Sequence, residues 1–363
     1  MKRNRGVDIF RALAILFVLV YHFYVLLGEG YADSHLILHR LISAGGEVGV
    51  TLFFIISGYG IFLSIDYKMN SRSFEILQFY KKRFLRILPQ YYISLLIIIF
   101  LTSQVSMLSS QGLFHIFTHA FLIHNFFPST CGSINTILWT MGVIAQFYLI
   151  SVLLYKAVKK NALVAFVGSI IFTVVSKIVL YHVIFPRISI ESTYYFIYGR
   201  QLFSALDNFV AGMFLAALPK TEIRKNIRGI YILAGVVLVI AWIVIPEPAG
   251  KYTDTWMGYV WHSVLVILLG IAMWGTSNLK FREDSIVMRV ILFISKYQYG
   301  IYLWHFAVAA NLLHGSRWIM VIAAKSFWAV ALVLTVICTM IGYLSTITLE
   351  APDYENILKF GKK

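Results

Sequence analysis

The stretch RALAILFVLVYHF, residues Arg11 to Phe23, decides the fold. It lies inside a mostly apolar run over about residues 7–27, and some 20 residues of helix cross the roughly 30 Å of hydrocarbon in a bilayer. Yet it opens on an arginine and carries a histidine next to its end. Eleven helical steps of about 100° make three turns plus about 20°, so Arg11 and His22 share one face, about 16 Å apart along the axis. The plain reading is an arginine that reaches back to the inner interface and a hydrogen-bonded core histidine. Ionisable groups inside a membrane are costly, however, and that cost points to a function.

The rest of the chain agrees with a membrane protein. Of 363 residues, 60% are hydrophobic and 13% charged, and the mean hydropathy is +0.79, far from soluble composition. The pattern predicts an all-α polytopic membrane protein with about ten spans, near 7–27, 46–65, 86–105, 134–156, 162–182, 198–218, 229–246, 256–275, 288–312 and 319–348. A shorter apolar segment, 112–126, is too brief to cross and is expected at the interface. Basic Lys2, Arg3 and Arg5 precede the first run and no small-residue cleavage site follows, which predicts an uncleaved first helix. If the N-terminus is cytoplasmic, 22 of the 31 basic residues fall on inner segments, five on outer ones and four within spans. That asymmetry predicts both termini inside. The net charge of +15 is therefore a topology signal, not a nucleic-acid footprint. No linker divides the chain: a transmembrane domain over 1–350 and a short cytoplasmic tail over 351–363 are expected, in the bacterial cytoplasmic membrane. Cys131 and Cys338 are expected near opposite faces and unbridged.

Several residues carry chemistry. After span two, FYKKRFLRILPQYY places Arg83 and Arg86 at i and i+3, beside Lys81 and Lys82. Six basic residues between 68 and 86 exceed what orientation needs, and arginine forks suit phosphate oxygens. Span two, GGEVGVTLFFIISGYG, is glycine-rich for close helix approach, with Glu47 and Ser57 as polar members. Span nine, SKYQYGIYLWHF, carries Lys296 at a depth that calls for a partner or a water-filled cavity, followed by Tyr299, Tyr302 and His305. His115 and His119 stand at i, i+4, the spacing of a metal pair, with no carboxylate to complete a site, so no metal is expected.

These motifs, taken together and in order, resemble the membrane acyltransferase-3 family, whose members O-acylate envelope polysaccharides and related molecules. The Arg11–His22 pair is similar to its first-helix signature. GVTLFFIISGY, RFLRILPQYY, LWTMGVIAQFYL, YGIYLWH and the closing LEAP (Glu350, Pro352) are similar to its later motifs. The chain departs from the pattern in the fourth span, where a glutamate is usual and Ile144 and Ala145 stand. In LDNFVAGMFLA, Asp207 matches and Ala205 replaces a frequent arginine.

The resemblance implies acyl-CoA, usually acetyl-CoA, as donor from the cytoplasm, and a carbohydrate or lipid-linked sugar hydroxyl as acceptor on the outer side. Arg11, Lys82, Arg83, Arg86 and Lys296 are then expected at the donor's anionic head. His22 is expected as general base, Tyr302, Ser57 and Lys296 as candidate oxyanion donors, and His305 as a group that orients the acceptor or supports His22. A transporter or exporter of a small polar or sugar-derived substrate would carry ten spans and buried charges equally well, and a sensing module would need only ligand binding.

Overall fold

The computed structural model describes residues 4–28, 36–101, 109–188, 201–219, 225–245, 255–276, 279, 281–282, 284–314 and 316–349. The main helices are α1 (Arg5–Leu26), α2 (Leu36–Asn70), α3 (Ile76–Leu101), α4 (Ser110–Ala120), α5 (Trp139–Lys160), α6 (Ala162–Val179), α7 (Leu206–Ala217), α8 (Lys225–Val244), α9 (Trp256–Thr276), α10 (Ile286–His314), α11 (Arg317–Lys325) and α12 (Phe327–Leu349). No strand occurs among the described residues.

Eight helices among these residues are long and apolar enough to cross a membrane, and two shorter apolar ones, in α7 and α8, fall where spans six and seven were expected. The chain is thus an all-α, multi-pass membrane protein. The missing N–H partners of a helix start are supplied by side chains. Asn4 accepts from Gly6 and Val7 at the head of α1, and Asn161 accepts from Val164 at the head of α6.

Two apolar cores organise the bundle. One gathers α1, α3, α5, α10 and α12; the other gathers α8 and α9; and α1, α2 and α7 contribute to both. The crossing of α2 over α7 is the tightest, because glycines meet there. A Cβ on Gly58 would overlap the Phe209 carbonyl, and one on Gly212 would overlap the Ile55 carbonyl. With no side chain on either helix, the backbones approach directly.

Two differences from the predicted spans stand out. Helix α3 starts at Ile76, not 86, so the basic cluster is helical and not in a loop. Charged residues form good helix outside hydrocarbon, and a hydropathy window does not register them. The last expected span is broken in two. Ser326 lies in extended backbone (φ −154°, ψ 80°) between α11 and α12. The short α4 docks on α3 through tyrosine hydroxyls, Tyr91 donating to the His119 carbonyl (3.0 Å) and Tyr92 to that of Ala120 (2.7 Å). Both cysteines are free and buried. The closing LEAP motif from Glu350 onward and the expected tail lie outside the described residues.

Candidate active site

One cavity of about 530 Å³ runs between α1, α2, α3, α5 and α10. Its polar end is lined by Arg11, Arg83, Arg86, Ser295 and Lys296, and its walls by Val50, Phe53, Phe54, Ile56, Ile61, Ile87, Met141 and Ile144. Ser57, Thr140, Tyr148, Gln298, Tyr299 and Tyr302 add polar groups along it. Seven residues singled out from the sequence therefore meet in one space: Arg11, Ser57, Arg83, Arg86, Lys296, Tyr299 and Tyr302.

Helix periodicity explains the gathering. On α10, Lys296, Tyr299 and Tyr302 recur every three residues, each turned about 60° from the last, and line the cavity along about 9 Å of the helix, while His305, half a turn round from Lys296, falls outside it. On α3, Arg83 and Arg86 lie one turn apart, and the Arg83 guanidinium sits 5.4 Å from the centre of the Phe79 ring, a cation–π contact that fixes its direction. Arg86 and Lys296 are exposed, which places the basic end at the surface. Lys296 is thus not the buried lysine its sequence position implied: it opens onto the cavity, with its ammonium 4.9 Å from the Tyr297 ring. Lys82 is exposed and does not line the cavity. Ile144 is an apolar wall residue.

The far end stops at Tyr302. Its hydroxyl donates to the Ile137 carbonyl (2.8 Å), and the Thr140 hydroxyl stands 2.8 Å away. The Thr140 hydroxyl also reaches the Ile137 carbonyl, at 3.1 Å, so the two hydroxyls and the carbonyl form one closed triangle of hydrogen bonds. Tyr302 packs edge-on against Phe53, ring centres 5.7 Å apart, and is 5.6 Å from the His305 ring. The two histidines lie behind it and do not line the cavity.

His22 and His305 are paired, Nδ1 to Nε2, at 3.0 Å. Their neutral tautomers follow from fixed acceptors. His305 Nδ1 is 2.7 Å from the Tyr302 carbonyl, which only accepts, so this nitrogen carries the proton and Nε2 has the lone pair. His22 must then present Nδ1–H, which also points at the Val18 carbonyl (2.9 Å). The lone pair of His22 is left on Nε2, where a base would need it. His305 is fully buried, whereas His22 is half-buried.

Sequence reading missed two features. Asp8, fully buried, contacts Arg11 at 3.2 Å and Arg5 at 3.5 Å, and the Ser295 hydroxyl donates to it at 3.2 Å. The i, i+3 spacing of Arg5, Asp8 and Arg11 was the available signal. The second is a network across α2, α6, α7 and α9. Lys177 donates to His262 Nδ1 (3.4 Å), His262 Nε2–H donates to Glu47 (3.2 Å), and Ser263 donates to Asp207 (2.5 Å). All four ionisable members are buried. Breaking such a network by removing one charge strands the others: Lys177→Met is expected to destabilise the protein by about 3–5 kcal/mol. A melting curve in detergent that did not move would contradict this.

The histidines of and after α4 are packed together: His119 Nδ1 donates to the His115 carbonyl (2.9 Å), and its ring stacks on His124, centres 4.0 Å apart and nearly parallel at 10°. Burial pushes His119 down to about 3 and His124 to about 4, so both rings are neutral.

Comparison with known proteins follows the same lines. A family model described as an acyltransferase domain matches residues 4–349. The peptidoglycan O-acetyltransferase OatA of Listeria monocytogenes serovar 1/2a is 25% identical over 330 residues, 84% of this chain and 49% of that protein. A putative O-acetyltransferase of Staphylococcus aureus strain MSSA476 is 26% identical over 338 residues, covering 85% and 51%. The O-acetyltransferase OatA of Staphylococcus aureus strain NCTC 8325 is 23% identical over 330 residues, covering 84% and 50%. The chain spans about half the length of these curated relatives. No solved structure matches it.

Proposed function

The chain belongs to the acyltransferase-3 family, and from that premise we propose that it is a membrane O-acetyltransferase. In this reading it takes an acyl group, acetyl first of all, from cytoplasmic acyl-CoA and places it on a hydroxyl of an extracytoplasmic or lipid-linked carbohydrate. The observation that carries the reading is the cavity: cationic at its open end, apolar along its walls, and closed by one tyrosine in front of a histidine pair.

The parts divide the work. Arg83, Arg86, Arg11 and Lys296 hold the anionic head of the donor, as guanidinium and ammonium groups hold phosphates, while Lys82 adds positive charge at the exposed rim. The apolar walls take the pantetheine arm, and the Ser57 hydroxyl supplies a hydrogen bond to its carbonyls. His22 Nε2 removes the proton from the acceptor hydroxyl as its oxygen attacks the thioester carbon. The C–S bond breaks, and the imidazolium returns the proton to the departing thiolate. His305 acts through His22 as a positioning residue, because its Nε2 lone pair keeps the His22 proton on Nδ1.

Tyr302 is the partition between donor and base. Its bond to Ile137 has to be released for the thioester to meet His22, so it gates the reaction and does not serve as a ready oxyanion donor.

The test is direct. Purified protein in lipid vesicles is given acetyl-CoA with a labelled acetyl group and a cell-wall glycan as acceptor. Ester-linked label on the glycan is the expected result. Acceptor movement across the bilayer without label transfer would replace this reading with a transporter.

A further inference from the structure

We propose that Asp8 is a positioning residue of the donor site: its carboxylate sets the Arg11 guanidinium against the cavity wall. The proposal rests on the reading of Arg11 as a contact for acyl-CoA.

The geometry is unusual for an acidic residue one turn into a helix. Such residues complement the positive helix end from the surface, whereas Asp8 is fully buried. Its Oδ1 meets Arg11 Nη1 at 3.2 Å and receives the Ser295 hydroxyl at 3.2 Å; its Oδ2 meets Arg5 at 3.5 Å. Both oxygens are thus engaged, and by two helices. Ser295 belongs to α10, lines the cavity and precedes Lys296, so the carboxylate joins α1 to α10 directly behind the cationic end.

The consequence for Arg11 follows from its length. An arginine about one turn from the inner end of a span extends toward the interface when nothing holds it. Here Nη1 is engaged by Asp8 while the side chain, 29% exposed, lines the cavity. A guanidinium has five N–H donors in a rigid fork, so fixing one corner fixes the direction of the rest. Asn4 secures the same end of α1, capping the helix and donating to the Tyr59 hydroxyl of α2 at 3.2 Å.

Simple charge and positioning predict opposite signs. Removing the carboxylate charge beside Arg5 and Arg11 makes the site more positive, which alone would tighten the binding of a phosphate-bearing donor. Losing the support of Arg11 would weaken it.

Acetyl-CoA affinity is measured by equilibrium binding to the full chain in lipid nanodiscs, for wild type, Asp8→Asn, Arg11→Ala and the double variant. The expected result is a loss of about ten-fold for Asp8→Asn that disappears in the Arg11→Ala background, the mark of a residue acting through its neighbour. Tighter or unchanged binding in Asp8→Asn, or a loss that persists without Arg11, overturns the proposal. If Asp8→Asn does not fold, Ser295→Ala is run through the same cycle with Arg11→Ala, with a two- to three-fold loss expected on the same logic; additivity overturns it. Unchanged affinity in Arg11→Ala alone removes the premise, an outcome distinct from an effect of Arg11 without one of Asp8.

Discussion

His22→Ala lowers acyl transfer by about a thousand-fold while acetyl-CoA still binds. A well-placed general base contributes about 10²- to 10⁴-fold, and the cavity proposed for the donor does not include the His22 ring. The two effects should therefore separate: the rate constant for transfer falls and donor affinity stays. Expression and topology should also survive, because His22 is only half-buried and its helix is held by the apolar face that includes Ile15, Val18, Leu19 and Phe23. His305→Ala gives a smaller loss, about ten- to a hundred-fold, since it frees the His22 tautomer without removing the base. Near-normal transfer by His22→Ala would refute the base assignment outright.

Arg83→Ala combined with Arg86→Ala weakens donor binding by at least about a hundred-fold. Hydrogen bonds to charged partners are each worth about 1.5–3 kcal/mol, and two arginines on one side of α3 line the same cavity end. The loss should appear in the KM for acyl-CoA before it appears in the rate at saturating donor. The wild-type protein should also bind the donor less tightly as salt is raised, and the double variant should show a shallower dependence, because Arg86 is exposed and screened. An unchanged KM and an unchanged salt response would show that the phosphates sit elsewhere.

Much of this was legible in the sequence because a membrane makes ionisable residues conspicuous. Arg11 and His22 stand out in an apolar run, and their shared helical face followed from the spacing. The chain's all-α, multi-pass class followed from the same hydropathy. Depth was harder to read. Lys296 looked buried when placed by counting along span nine, yet it opens onto a cavity that only the packing of five helices creates. Lys82 was grouped with Arg83 by adjacency, although neighbours on a helix point about 100° apart.

The partners of these residues were less visible still. Asp8 could have been found from its spacing to Arg5 and Arg11, but its contact with Ser295 joins positions far apart in the chain. The network of Glu47, His262, Lys177 and Asp207 needs four helices to meet. The partition at Tyr302 depends on Thr140 and on the Ile137 carbonyl, a backbone group no motif records. Side-chain identity reveals what chemistry is present; tertiary packing decides which atoms it reaches.

The central claim is transfer between the two sides of the membrane, from a donor at the basic end to an acceptor beyond the histidine pair. Sealed vesicles of one protein orientation, with labelled acetyl-CoA on the side of Arg83 and Arg86 and the glycan on the other, measure it directly. The account predicts ester-linked label on the glycan in that arrangement and none when donor and glycan exchange sides. Label only when both share one side would contradict it.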